Sequence, residues 1–461
     1  MTDHDTATDT GPVYGPDKER RIGRAAVVLM AVIAGIFAMI AGFMVKKQCE
    51  PPRAWDGYQY THNCYNDIMP LYGTRGGEFA FRPDCEVREN AEPSADCRSV
   101  PFSEHGLSYR DNRLEYPPLT GLAISAANAP VERGNAVGFF RVNALMLAVF
   151  GVIGAAALAA IARNPRRMVM YVLAPAMISY AFLNWDLLAV GLMALGLWAF
   201  VRERDVLSAA LLGLGAAAKI FPGLIIPALM LARRRDGKPA WPLLVYSIFW
   251  FAVPNLVVLL FAGVDGWSFP YDFQTARVPN FETFWYFILH HGSRATGPEW
   301  NSFWFPAGGP FSKFAQYGSM ALFGISLLIL LWRESLRGDV RPITTGFGIM
   351  ILFLMTTKVF SPQFAIWLLP FFVLVRVPWH AFVAFVLGDL FVLGSIWAYL
   401  NSFIEGVDSA PYLMVLEVSV FVRYAALVYV LIWTRRVGED LTGEPEQLPE
   451  GAGSAAAAWA T

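Results

Sequence analysis

The sequence predicts an all-α polytopic membrane protein, a bundle of about 12 transmembrane helices with a long first extracytoplasmic loop. Three observations carry that expectation. Of the 461 residues, 56% are hydrophobic against 16% charged, with a mean hydropathy of +0.43; a soluble chain of this length would instead make about three domains. Apolar runs close to the ~20 residues that a bilayer core demands recur along the chain. Between them stand the basic clusters Arg163-Asn164-Pro165-Arg166-Arg167, Arg202-Glu203-Arg204, Arg233-Arg234-Arg235 and Arg435-Arg436, which the positive-inside rule assigns to the cytoplasm. A net charge of −1 offers no basic surplus for nucleic acid, so the expected surroundings are the lipid bilayer, with no nucleic-acid partner.

Residues 1–22 are polar and read as a disordered cytoplasmic tail, and residues 23–436 as the transmembrane domain. The first span, Ala25 to Val45, is too long for a signal-peptide core and no small-residue cleavage site follows it. Arg20, Arg21 and Arg24 precede it, which puts the start of the chain inside and the first loop, residues 46–118, outside. Tyr116 to Ala129 is too short to span and reads as a re-entrant or interfacial helix. Val137 to Ala162, Met168 to Leu183 and Leu187 to Val201 follow as spans. The stretch between the clusters at Arg204 and Arg233 starts and ends on one side, so it must turn, and Lys219-Ile220-Phe221-Pro222-Gly223 is where two short helices meet. Trp241 to Ala262 goes out to a second external loop, residues 263–313, whose Trp267, Trp285, Trp300 and Trp304 suit the headgroup level. Ala315 to Trp332, Ile343 to Met355, Ala365 to Val375, Ala381 to Leu400 and Tyr412 to Trp433 complete the spans, and residues 437–461 read as a disordered cytoplasmic tail.

All four cysteines, Cys49, Cys64, Cys85 and Cys97, fall in the first loop. That confinement fits disulfides in an oxidising compartment better than a metal site, since no Cys-x-x-Cys pair is present. Four cysteines allow three connectivities; the two local pairs, Cys49 with Cys64 and Cys85 with Cys97, are favoured.

Ionisable residues inside membrane segments cost about 3 kcal/mol each on insertion scales and so mark function. On this topology Asp186 stands at the outer end of its helix, where a capping aspartate would also stand. Lys219 is at the apex of the hairpin, and Lys358 and Gln363 lie in a late outer turn. His290 and His291 face the same side, with amphipathic loop residues as their plainer reading. Asp389 and Arg423, both in spans, could pair. Asp67 lies in Cys64-Tyr65-Asn66-Asp67-Ile68, followed by apolar Met69, Leu71 and Tyr72, so it is expected to tuck against the membrane as a catalytic base. Arg75 with Gly76-Gly77 allows a close backbone turn near an anion, and Tyr116 in Glu115-Tyr116-Pro117-Pro118-Leu119 begins a stiff re-entry.

An early aspartate in a long first loop, a Tyr-Pro-Pro-Leu return, a Lys-Ile-Phe-Pro break and a late Lys358-Val359-Phe360-Ser361-Pro362-Gln363-Phe364 turn together resemble the GT-C glycosyltransferases that use polyprenyl-phosphate sugars. The likeness is to the glycosyltransferase family 87 group of actinobacterial envelopes and, more distantly, to the GPI mannosyltransferase I catalytic subunit. It covers residues 60 to 400, and the order of the motifs carries it. The resemblance implies a GT-C-like helical bundle in the plasma (cytoplasmic) membrane with its active site facing the periplasm or exterior. The implied reaction is inverting transfer of a sugar, mannose or arabinose, from a polyprenyl-phosphate donor to an envelope glycolipid or polysaccharide acceptor. The family aspartate falls on Asp67, with Tyr72 and Gly76 approximately in step. Its lysine falls on Lys219, and the Ser-x-Gln-Tyr pattern on Ser361 to Phe364, with Phe for Tyr. Asp67-Ile68-Met69 departs from an Asp-x-Asp pattern, and Gln363-Phe364-Ala365 stand where related enzymes carry a His-rich turn. No metal ligand or cofactor is identified; a divalent cation stays open. Lys219 is then the leading cation for the departing phosphate, helped by Lys358, Arg75 or His290, and Asp186 is expected to orient sugar hydroxyls or the acceptor. A lipid-linked-substrate transporter or flippase, with charges at the midplane, and a non-catalytic assembly protein are the rival readings.

Overall fold

A computed structural model describes residues 16–50, 53, 55–71, 109, 114–131, 135–296 and 310–443. Tyr72, Arg75, Cys85 and Cys97 lie outside the described residues. The described chain is helical, with only two isolated β-bridges. In order the helices are α1 (Pro16–Lys47), α2 (Tyr58–Thr61), α3 (Ile68–Leu71), α4 (Pro118–Asn128), α5 (Ala136–Ala159), α6 (Val169–Val172), α7 (Pro175–Tyr180), α8 (Asp186–Val201) and α9 (Asp205–Ala218). There follow α10 (Phe221–Leu224), α11 (Ile226–Arg235), α12 (Trp241–Ala276), α13 (Phe284–Thr296), α14 (Pro310–Ser335), α15 (Pro342–Thr356), α16 (Leu369–Leu374), α17 (Trp379–Glu405) and α18 (Ala410–Val437).

Six of these, α1, α5, α12, α14, α17 and α18, are long and apolar enough to cross a membrane. Their outer faces leave large apolar side chains such as Phe37, Leu260, Leu328 and Leu387 exposed, as lipid contact requires. Shorter apolar helices lie between them and form the buried centre, where α8 is covered on nearly every side.

Prolines explain most of the interruptions. Where Met168 to Leu183 reads as one span, the chain is broken into a 3₁₀ turn, α6 and α7, with Pro175 starting α7. Ala365 to Val375 is likewise a 3₁₀ turn (Pro362–Trp367) followed by the six-residue α16. Proline supplies no N–H to the ladder and its ring displaces the preceding carbonyl, so a helix restarts there instead of continuing. The Lys219 break forms as expected: α9 ends, Lys219 is extended at φ −153° and ψ 140°, and α10 begins around Pro222.

The second loop differs from expectation. Beyond Ala262 the chain continues as helix to Ala276, and α13 follows, so much of residues 263–313 is helical. At 36 residues α12 would be about 54 Å long if straight, well beyond a ~30 Å hydrocarbon core. Gly263, at φ 72° and ψ −176°, breaks it, a conformation open to glycine because no Cβ obstructs it. The segment after the kink turns Pro270, Tyr271 and Gln274 toward the interior.

One end of the bundle gathers the basic clusters. Arg24 donates to the Ala159 and Ala162 carbonyls, and Arg167 to those of Phe372, Val375 and Val377. Arg233 grips Asp205, and Arg435 pairs with buried Glu334 at 3.0 Å. Arginine at a helix C-terminus offsets the partial negative charge of its unpaired carbonyls. Residues 438–443, expected within a disordered tail, are stitched across this end. Leu441 N donates to Leu374 O, Arg376 N to Glu439 O, and Gly443 N to Ile161 O. Asp440 caps α15 through the Ile343 and Thr344 amides at 3.0 and 2.7 Å, satisfying donors that a helix start leaves open.

At the opposite end the expected Cys49–Cys64 disulfide is formed, with Cα atoms 5.5 Å apart. It closes a 15-residue separation, for which a chain-entropy treatment gives about 3 kcal/mol. Replacing both cysteines by serine is therefore expected to lower the thermal unfolding midpoint in detergent. The reducing agent that cleaves the bond should lower the wild-type midpoint by more than it lowers that of the double variant, which keeps Cys85 and Cys97.

Candidate active site

The disulfide fixes the segment that presents Asp67. Lys46 Nζ donates to Asn63 O at 2.8 Å, and Trp397 Nε1 to Asn63 Oδ1 at 3.0 Å, tying the turn to α1 and α17. The Asn66 side chain accepts from the Met69 amide at 2.9 Å and so starts α3. Asp67 N donates to Leu183 O at 2.7 Å, and Tyr65 Oη donates to Asp67 Oδ1 at 2.9 Å. Tyr65 in turn packs with Tyr60 and Trp397. The carboxylate is thereby held by its own backbone and one phenol.

Asp67 opens onto a cavity of about 820 Å³. Its polar wall includes Glu115, Asn184, Lys219, Arg277, Lys358 and Gln363; its apolar part reaches Phe251, Met320, Phe323 and Phe353 on α12, α14 and α15. Ile220 and Met320 line it while remaining more than half exposed, so it is not sealed from the flank of the bundle. The polar part lies at the end away from the arginine clusters.

Burial pushes the Asp67 carboxyl up, opposed by the Tyr65 hydrogen bond and the Lys219 charge. The charge of Asp67 drives the Tyr65 phenol well up, so it stays a donor. Glu115 is also raised by burial, with Arg277 holding it down in part. Glu282, on the same wall, is raised by burial too, so three carboxyl groups face the cavity with raised proton affinity, the condition for accepting a proton near neutral pH.

Lys219 meets Asp186 at 2.6 Å and Asn184 Oδ1 at 3.2 Å. Asp186 is fully buried, lies off the cavity wall and also accepts from Trp367 Nε1 at 2.7 Å. Its side chain makes no helix cap. It therefore anchors Lys219 from behind the cavity wall. Lys358 donates to Thr275 O at 2.8 Å and Arg277 O at 2.7 Å; burial and then the Arg277 charge lower its pKa to about 8. Tyr116 lines the cavity with its ring edge-on to Trp185 at 4.8 Å.

The histidines are elsewhere. His291 Nε2 sits 2.7 Å from Glu417 Oε1, exposed on α13, and His290 stacks on Tyr286; neither lines the cavity. No ion pair joins Asp389 to Arg423: Tyr180 donates to Asp389 at 3.0 Å, and Arg423 donates to the Glu282 and Phe360 carbonyls. Glu115, Arg277 and Glu282 are ionisable residues of the cavity wall missed in the sequence. Glu115 directly precedes the Tyr116-Pro117-Pro118 return, a signal present but unread; Arg277 follows an aromatic stretch that gave none. Among the described residues, no three His, Cys, Asp or Glu side chains converge as ligands of one metal ion.

The family model for glycosyltransferase family 87 matches residues 115–283. That segment carries Glu115, Asp186, Lys219 and Arg277, while Asp67 precedes it. The match implies a glycosyltransferase, and the six apolar helices describe a multi-pass membrane protein. No curated protein matches the chain.

Proposed function

We propose that the chain is a polyprenyl-phosphate-sugar-dependent glycosyltransferase of GT-C-like architecture. In this reading it crosses the plasma membrane about 12 times, keeps its arginine clusters in the cytoplasm and works on the outer face. The supporting observation is a single cavity that joins an acid, several cations and an apolar fissure. A substrate with a sugar, a phosphate and a long hydrocarbon tail needs all three together.

Asp67 is the general base. It removes the proton from an acceptor hydroxyl as that oxygen attacks the anomeric carbon; the bond from that carbon to the phosphate oxygen breaks, and lipid monophosphate leaves with the electron pair. In-line attack inverts the anomeric centre. Growing negative charge on the departing phosphate is met by the cationic side of the cavity, where fixed charges cost no reorganisation during reaction. Mannose or arabinose is the proposed sugar, and an envelope glycolipid or polysaccharide the acceptor.

Protein reconstituted in vesicles with acceptor lipid should transfer labelled sugar from polyprenyl-phosphate mannose or arabinose and not from the sugar nucleotides. Transfer from a sugar nucleotide alone would refute the lipid-phosphate donor.

A further inference from the structure

Of the cations on the cavity wall, two are already committed. Lys219 is neutralised by wholly buried Asp186 at 2.6 Å, so the pair presents little net charge to an incoming anion. Lys358 is 3% exposed and spends two N–H groups on the carbonyls of Thr275 and Arg277. Arg277 differs from both. It immediately follows α12, lines the cavity half-buried, and among the described residues its side chain makes no hydrogen bond or ion pair, its charge acting on the Glu115 and Glu282 carboxyls only through space.

Its setting solves a problem of sign. A helix C-terminus carries about half a negative charge in its unpaired carbonyls, which would repel an anion beside Arg277. The Lys358 ammonium lies against those carbonyls and offsets them. The backbone around Arg277 is also fixed: Asn280 N donates to Lys358 O at 3.0 Å, and Arg423 bridges the carbonyls of Glu282 and Phe360 at 2.7 and 3.0 Å. Two loops, residues 277–283 and 357–363, are thereby locked together around one open guanidinium, whose planar fork matches a phosphate.

We propose that Arg277, with Lys358 shielding the helix end behind it, is the subsite for the phosphate of a lipid-linked substrate, and that Lys219 is not. The proposal rests on the donor reading above for the identity of the ligand. Lys219 then acts as a positioning charge held beside Asp67.

Binding of a soluble short-chain prenyl monophosphate, the matching prenyl alcohol and a short-chain phosphatidic acid tests this, with sugar transfer measured in parallel. Wild type should prefer the monophosphate to the alcohol by about 10- to 100-fold, the usual range for hydrogen bonds to a charged group. Arg277→Gln should lose that preference and Arg277→Lys keep part of it, while the double variant Asp186→Asn with Lys219→Met retains it. Retention in Arg277→Gln, or loss in the double variant alone, overturns the subsite. Equal binding of phosphatidic acid overturns it in favour of an ordinary phospholipid headgroup seat. Transfer without any phosphate preference sinks the subsite and leaves glycosyl transfer standing; phosphate preference without transfer from a lipid-linked donor keeps the subsite and sinks the donor reading.

Discussion

Asp67→Asn is expected to cut sugar transfer by about 100- to 10,000-fold, the range general-base catalysis supplies, while the protein still folds and keeps its disulfide. The amide is nearly isosteric, and Tyr65 can still donate to its oxygen as it does at 2.9 Å in the wild type. The loss should fall on the rate constant for transfer and leave donor binding little changed. Wild-type rate should decline toward acid as Asp67 takes up a proton. Because burial raises this carboxyl, the decline begins above the ordinary aspartate value of about 3.9. Lys219 favours the ionised form, so removing its charge should move the acidic limb to higher pH. A variant with wild-type turnover, or an acidic limb that Asp67→Asn leaves in place, would mean that another group takes the proton.

The second large effect concerns stability. Lys219→Met leaves Asp186 fully buried without its cation, and Asp186→Ala strands the ammonium, whose side chain is only 13% exposed. Breaking one side of a buried pair costs about 3–5 kcal/mol, whereas removing both charges can be nearly neutral. Each single variant should therefore unfold at markedly lower temperature. Asp186→Asn with Lys219→Met should regain most of that loss, because the amide oxygen of the substituted side chain would still accept from Trp367 Nε1, now 2.7 Å from Asp186. Equal damage in the single and double variants would show that the pair contributes by shape alone.

The Lys219 apex was legible because a proline-glycine break lay between two arginine clusters that had to share a side. The disulfide was legible from locality, and Asp67 from a lone acid running into apolar neighbours. What escaped detection depends on distance in sequence. Gly263 bends a helix that composition reads as ending, and so carries Arg277 into the cavity from a stretch read as loop. Asp440 caps a helix that starts nearly a hundred residues earlier, a contact no local pattern encodes. His290 and His291 drew attention through residue type alone, and their helix turns them to Glu417 and Tyr286 instead.

The stitched segment at residues 438–443 has a practical side. Arg24, at the start of the apolar stretch of α1, reaches the Gly443 carbonyl, so the chain enters and leaves the bundle at neighbouring points. Complementary halves of a split fluorescent reporter that matures only in the cytoplasm, fused one to each terminus, would meet and light up only where that corner faces inward. A single microscopy measurement of living cells would then report which way round the protein sits.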